Sequence, residues 1–309
     1  MTTVADVINW TRESVLDDTD PQKYLWSNTE LIHLLNRCYN ELVKSALPIT
    51  DQTTTAITQI KLLSNVGVYA LDSRVIQVTN ARLSSDTTFG PLNRTTETRL
   101  NQTVSDWRNE TGTPSEYCPG AYSGYLSVYP KFDDTWEYVG SSDISFVALS
   151  KTISQTGGDF SGLVVGDEVY VSDTVTANNG YRTVVTVGTT SFTVSETIVD
   201  GTLTSATIRK VRDTMLMTVG RLGTARFTVA DIVAETEITE MRDDHVEGLP
   251  DGIGKRAFLK PDTYTYFPQK AEYHRGLFEE FKKVVKRDII LLNKPDKSRV
   301  PRSGTSIYY

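Results

Sequence analysis

The chain has 309 residues, of which 39% are hydrophobic and 9% are aromatic, and its formal net charge is −7. This composition excludes a disordered chain, and the negative charge argues against a protein that binds nucleic acid through its overall charge. Two cysteines are too few for a disulfide framework or a cysteine metal cluster. We expect no membrane span and no secretory signal, because the chain lacks a long apolar run and MTTVADVINW lacks a basic start.

Two helices are predicted at the start of the chain, over residues 3–16 and 27–47. In the second, apolar residues recur every three or four positions, which places them on one helix face. Ser27 followed by Glu30 matches a capping box, and Pro48 ends the pattern. The short acidic turn between the two segments predicts an αα-hairpin.

Strand-like sequence dominates the next hundred residues, with one helical interruption. Short runs rich in Val, Ile, Thr and Tyr indicate β-strands, whereas Leu100, Val104 and Trp107 lie at helical spacing. The predicted strands are 53–62, 67–71, 74–83, 124–129 and 143–149, and the predicted helix is 95–108.

Residues 150–212 differ in composition from their surroundings, because Gly and Thr become frequent and helical patterns disappear. Apolar and polar residues alternate in GDEVYV, YRTVVTV and SFTVSE, while Asn179–Gly180 and Gly188 indicate tight turns. We therefore expect a small β-barrel or sandwich inserted into the chain.

Helical patterns return near the end of the chain. Residues 215–219 predict a strand, residues 228–240 are ambiguous, and residues 240–259 predict a helix kinked at Pro250. Residues 268–292 form a second clear amphipathic helix, which we expect to pack with the helix at 27–47 in one compact body.

These patterns predict an α+β protein. Its parts are a helical bundle, made of the N-terminal αα-hairpin and the long C-terminal helices, a β-sheet region and the inserted β-barrel or sandwich. The predicted divisions are a body of residues 1–149 plus 213–292, an inserted β module of residues 150–212 and an extended tail of residues 293–309.

The tail combines basic residues with an aromatic end. A segment of this kind folds on docking to a protein partner, although solvated linkers and nucleic-acid contacts have similar sequences. The predicted docking residues are Lys294, Lys297, Arg299, Arg302, Ile307, Tyr308 and Tyr309.

Few residues indicate chemistry. Gly252–Ala257 matches a dinucleotide-binding pattern, but an acidic stretch and not a strand precedes it, so we expect close helix packing there. His245 and Glu247 resemble the start of a zinc deaminase signature whose cysteine part does not follow. His33 and His274 fall in helices, where packing or solvation is expected.

Other polar residues leave alternatives open. Asp17, Asp18 and Asp20 match either a cation site or turn and capping positions, and no carboxylate pair is singled out for hydrolysis. We predict no catalytic residue, no cofactor and no metal.

Several stretches occur in a familiar order. They are Tyr24–Ser27, Glu30–Leu31, Leu34–Asn36, Trp107–Tyr117, Leu126–Pro130, Thr218–Leu222, Asp244–His245, Lys255–Thr263, Lys270–Glu272 and Phe278. In this order the chain resembles the head-to-tail adaptor proteins of tailed bacteriophages, also called connector or tail tubular proteins, especially those of short-tailed phages. It departs from the family at Pro250 and Gly252, where a smooth helix is usual, and in the β module of residues 150–212.

The resemblance implies a structural virion protein without catalytic residues. Such proteins form a ring, typically of twelve copies, below the portal, where they extend the DNA channel and attach the next tail component. The implied partners are further copies of the chain, the portal protein, a downstream tail or nozzle protein and tail fibres. DNA would pass without sequence-specific binding, and the ring would assemble in the host cytoplasm.

Two other functions stay open from the sequence. One is a virion-associated cell-wall hydrolase, which a deep pocket with converging carboxylates or a histidine pair would indicate. The other is a tail or carbohydrate-binding β protein, against which the strong C-terminal helices argue.

Overall fold

The computed structural model describes residues 1–47, 49–85, 90–120, 124–133, 137–139, 144–172, 176–203, 206–223, 226–261 and 264–292. In this part of the chain the protein is mixed α+β, with seven α-helices and mostly antiparallel strand pairs. The predicted fold class is confirmed at this level.

The helices occur near both ends of the chain and at two short central positions. They are α1 (Val4–Trp10), α2 (Asn28–Ala46), α3 (Thr55–Thr58), α4 (Glu97–Thr103), α5 (Val229–Val233), α6 (Leu249–Ala257) and α7 (Pro268–Leu292). Thr11–Leu16 continues α1 as a π-helical turn, while Thr176–Asn178 and Asp243–His245 are 3₁₀ turns.

The strands lie between residues 50 and 221. They are β1 (Thr50–Asp51), β2 (Gln59–Leu63), β3 (Val68–Ala70), β4 (Val75–Leu83), β5 (Asn93–Arg94), β6 (Glu116–Pro119), β7 (Tyr125–Tyr129), β8 (Glu137–Val139), β9 (Ile144–Val147), β10 (Thr152–Gln155), β11 (Glu168–Ser172), β12 (Gly180–Val187), β13 (Ser191–Val194), β14 (Gly201–Leu203) and β15 (Thr207–Arg221).

The chain divides into two compact units. The helical unit is Met1–Thr50 together with the chain from Gly220 onwards, and the strand unit is Asp51–Val219. This division differs from the boundaries predicted at 149/150 and 212/213. Because β15 continues without a break through residue 212, no linker lies at the predicted end of the β module.

In the helical unit, both long helices contribute to one hydrophobic core, as expected from their apolar faces. The start of α2 is set locally, since the Glu30 amide donates to Ser27 Oγ at 3.2 Å and Glu30 accepts from the Ser27 amide at 2.9 Å. The helix ends at Ala46, and the capping residue Leu47 has a left-handed φ of 54°.

Helix α6 corrects the prediction for residues 240–259. Pro250 lies in the first turn of α6, where its missing N–H removes no hydrogen bond, so it begins a short helix and does not kink a long one. Gly252 lets α6 approach its neighbours closely, because a Cβ there would lie 2.9 Å from the Phe278 ring and 3.0 Å from Cys38 Cβ.

The strand unit contains two hydrophobic clusters. One lies within residues 144–208 and includes Phe160 and Phe192, whose rings meet edge to face at 5.0 Å. Its strands follow the antiparallel order β15-β11-β12-β13-β10-β9-β14. The other cluster includes residues of β2, β4 and β15 and of a four-stranded sheet in the order β3-β7-β6-β5.

Two local predictions in this unit are partly wrong. The strand predicted over 53–62 begins as the helical turn α3 and becomes extended only at Gln59, and the helix predicted over 95–108 ends at Thr103. In the second case Trp107 lies beyond the helix and donates from Nε1 to Asn101 Oδ1 at 2.8 Å. Trp107 follows Leu100 and Val104 at helical spacing in the sequence, which is why the predicted helix was too long.

Candidate functional site

The helical unit exposes a group of large side chains between α6 and the first turns of α7. We call this group the aromatic surface and define it as Leu259, Tyr264, Tyr266, Phe267 and Tyr273. Each side chain is between 42% and 77% exposed. Aromatic residues are enriched where proteins meet.

A buried aromatic residue supports this surface from below. Phe258 is 1% exposed, and its carbonyl accepts from the Phe267 amide at 2.9 Å. The Phe258 ring meets the Phe267 ring at 6.3 Å and the Trp26 ring at 6.1 Å, both edge to face. Trp26 donates from Nε1 to the Ala257 carbonyl at 3.2 Å, so the segment after α6 is anchored to the start of α2.

An apolar hollow adjoins the aromatic surface and shares Leu259 with it. Its lining is Trp26, Thr29, Glu30, His33, Leu34, Arg256, Ala257, Leu259 and Lys260. At its rim, Lys260 Nζ lies 3.0 Å from Glu30 Oε1 and donates to the Leu25 carbonyl at 3.1 Å. The Ser27 amide lowers the pKa of Glu30, and burial opposes this effect.

Three cations meet one carboxylate where α2, α6 and α7 pack together. Glu41 accepts from Lys255 Nζ at 2.7 Å, from Arg256 at 2.9 Å and from Lys282 Nζ at 2.9 Å. We call these four residues the Glu41 junction. Since its members come from three helices, the junction fixes the arrangement that carries the aromatic surface.

The electrostatics of the Glu41 junction favour a charged carboxylate. Burial raises the pKa of Glu41, but the hydrogen bonds from its three cations lower it by more. The resulting pKa is about 2. Beside the junction, burial raises the pKa of the Cys38 thiol to about 11. Because only the thiolate is a good nucleophile, burial disfavours reaction at Cys38.

The predicted docking residues of the tail, Lys294, Lys297, Arg299, Arg302, Ile307, Tyr308 and Tyr309, lie outside the residues that the structure describes. Of the acidic residues considered for a cation site, Asp18 is buried and pairs with the buried Arg12, and its Oδ1 accepts from the Leu25 amide at 2.9 Å. This carboxylate therefore organises the turn before α2.

The stretch Gly252–Ala257 is embedded in α6, and a 3₁₀ turn precedes that helix. The strand that a dinucleotide-binding loop requires is not at that position. His33 is exposed, whereas His274 Nδ1 lies 2.7 Å from Asp251 Oδ1 and its ring stacks on Phe258 at 5.6 Å.

One group of side chains within the described ranges lies close enough to hold a metal ion: Asp244, His245 and Asp288. The zinc deaminase pattern in the sequence joins His245 to Glu247, not to these two carboxylates. Asp288 is 43 positions away in the chain from His245, so no local pattern connects the two.

Comparison with models of known protein families gave no match, and comparison with curated proteins gave no match either. Within the described residues, none of the helices is long and apolar enough to cross a membrane. The aromatic surface was missed at the sequence level, although a signal was present: three aromatic residues fall within Tyr264–Phe267, between two helical segments.

Proposed function

We propose that this protein is a head-to-tail adaptor of a tailed bacteriophage of the short-tailed type. Copies of the chain would form a ring below the portal, extend the DNA channel and attach the next tail component. The order of sequence motifs suggests the family, and the aromatic surface is the structural observation that supports a protein built to contact other proteins.

In this proposal the aromatic surface contacts the next copy of the chain in the ring. A closed ring needs two different patches on each subunit, because its contacts are heterologous. The exposed rings of Tyr266 and Phe267 supply apolar area for one patch, and the Glu30–Lys260 pair at the rim of the hollow supplies polar contacts that set register.

The finer architecture is part of the same proposal. We propose that α1, α2, α6 and α7 form a helical bundle, since they share one core, and that residues 150–212 form a small barrel that decorates the ring. Residues 293–309 would dock to the portal or to a neighbouring subunit. A downstream nozzle protein and tail fibres would attach to the ring.

Charge is compatible with a DNA channel. Duplex DNA carries one negative charge per about 1.7 Å of its length, so a basic wall would hold it by counterion release. The net charge of −7 favours a wall along which DNA slides without sequence-specific binding. Solubility explains the same charge equally well.

The test is native mass, measured for the protein alone and mixed with purified portal protein. We expect a ring-sized assembly in the mixture, and its loss in the variant that carries both Tyr266→Ser and Phe267→Ser. The control is Leu149→Ser, which removes a 99% exposed apolar side chain from the strand unit and should leave assembly intact.

A protein that stays monomeric with and without portal would contradict the proposal. If the variant with both Tyr266→Ser and Phe267→Ser still assembles, the proposed role of the aromatic surface is wrong. Degradation of cell walls by the purified monomer would instead support the hydrolase alternative.

A further inference from the structure

Asp244, His245 and Asp288 converge at one place in the helical unit. Each offers one ligand atom, and these atoms all lie within 4.8 Å of one another. His245 is 3% exposed, and its Nε2 is buried without a hydrogen-bond partner in the described structure. A buried imidazole nitrogen without a partner beside two carboxylates has the character of an unfilled ligand set.

Rigid elements position all three side chains. Asp244 and His245 belong to the 3₁₀ turn Asp243–His245, and the next residue, Val246, is buried in the hydrophobic core. Asp288 lies on α7 between Val285, which is 1% exposed, and Ile289, which packs against the same core. The backbone positions of the three residues are therefore set by elements that pack on the core.

We propose that Asp244, His245 and Asp288 bind a divalent transition-metal ion, and that Zn²⁺ fits the site best. Imidazole nitrogen favours Zn²⁺ and related ions, whereas Mg²⁺ and Ca²⁺ prefer sets made only of oxygen. Ligand atoms around tetrahedral zinc lie about 3.4 Å apart, given metal–ligand distances of about 2.1 Å. The ligand atoms, which lie up to 4.8 Å apart, would have to approach one another by at most about 1.4 Å to reach this geometry.

Two arginines lie near the carboxylates and leave them able to bind metal. Arg242 contacts Asp244 through Oδ2 at 2.5 Å, and Arg287 Nε lies 4.0 Å from Asp288 Oδ1. Each carboxylate retains a second oxygen, and Asp244 is exposed, so water can complete the coordination shell. The ion would tie the turn before α6 to the C-terminal half of α7, so its expected effect is to stabilise the helical unit.

The test is Zn²⁺ binding by the full-length chain without a histidine tag, measured by calorimetry and by metal content after dialysis. We expect one ion per chain, and His245→Gln and Asp288→Asn should each weaken binding by at least about tenfold. The matched controls are His33→Gln, an exposed histidine of α2, and Glu272→Gln, an exposed carboxylate of α7, and both should bind as the parent does.

Two further measurements keep the proposal testable if His245→Gln does not fold. Asp244→Asn and Asp288→Asn change partly exposed carboxylates, and Co²⁺ should give visible absorption bands in the parent that both variants lose. Zn²⁺ at 100 times its dissociation constant should also lower the ratio of unfolded to folded protein about 100-fold, and Mg²⁺ should not. Failure to bind one Zn²⁺ per chain, or binding that survives both Asp288→Asn and Asp244→Asn, would overturn the proposal.

Discussion

At the scale of single residues, Arg12 is a buried charge in the π-helical turn Thr11–Leu16. Its guanidinium pairs with Asp18, donates to the Trp26 carbonyl at 2.8 Å and to Asn28 Oδ1 at 2.9 Å, and lies 3.6 Å from the centre of the Tyr24 ring. Since Arg12 is only 4% exposed, these contacts replace its hydration and hold the whole turn between the first two helices.

Arg12→Met should lower the free energy of unfolding by about 3–5 kcal/mol, because it leaves the carboxylate of Asp18 buried without its cation. Urea denaturation followed by circular dichroism measures the change. Arg37→Met, on the exposed face of α2, is the matched control and should cost at most about 0.5 kcal/mol. Equal losses in the two variants would contradict this account of Arg12.

The Glu41 junction predicts a dependence of stability on acid. The pKa of Glu41 falls from its ordinary value of 4.5 to about 2 in the folded protein. The stability from this group is therefore complete above pH 4.5 and is lost as the pH falls towards 2. The pKa change sets a ceiling of about 3 kcal/mol. Since 27% of the Glu41 side chain is exposed, we expect about 1–2 kcal/mol after solvent screening.

Glu41→Gln should lower stability at pH 7 and flatten the loss of stability between pH 4.5 and 2. Urea unfolding at several pH values in that window measures both effects. Glu272→Gln, which changes a surface carboxylate of α7, should lose stability between pH 4.5 and 2 as steeply as the parent does. If Glu41→Gln loses stability with acid as steeply as the parent, the Glu41 junction does not stabilise the fold.

At the scale of elements, α6 depends on its glycines for close packing. A Cβ at Gly252 would lie 3.0 Å from Cys38 Cβ, an atom fixed to the α2 backbone, whereas a Cβ at Gly276 in α7 meets nothing within 4 Å. An alanine at Gly276 therefore tests helix propensity alone, whereas an alanine at Gly252 tests helix propensity and packing together.

Gly276→Ala should stabilise the protein by about 0.5–1 kcal/mol, because alanine is the better helix former. Gly252→Ala gains the same propensity but has to push helices apart, and we expect a net loss of about 1–3 kcal/mol. Thermal and urea denaturation of the pair measure the difference. A stabilising Gly252→Ala would mean that the contact between α2 and α6 relaxes easily.

At the scale of the whole molecule, the helical unit is discontinuous in sequence but closed in space. The Arg221 amide donates to the Ile49 carbonyl at 3.2 Å, so the ends of the two segments that form this unit are neighbours. A short Gly-Ser turn can join chain ends that lie this close, since connections of about two to six residues are common in compact domains.

We predict that replacing residues 51–219 with such a turn gives a folded helical protein. Circular dichroism should show helix as the main structure, and thermal unfolding should be cooperative. Adding Arg12→Met to the shortened protein should abolish that cooperativity, which provides the control. A shortened protein that unfolds without a cooperative transition would show that the helical unit requires the strand unit to fold.

The sequence by itself determined the elements whose signals are local. The capping box at Ser27, the long helices α2 and α7 and the alternating strands β11–β13 depend on residues within a few positions of one another. Their hydrogen bonds and apolar faces are set by that spacing, so periodicity was sufficient to predict them.

Only the tertiary structure decided which distant residues meet. Glu41 finds its cations more than 200 positions away, Asp288 lies beside His245, and β15 continues across the predicted boundary at residue 212. Long-range contacts depend on which apolar faces pack against each other in the folded chain. The spacing of residues within one segment does not specify that pairing. The aromatic surface belongs to both levels, because Tyr264–Phe267 is visible in the sequence, whereas its exposure follows from the burial of Phe258 beneath it.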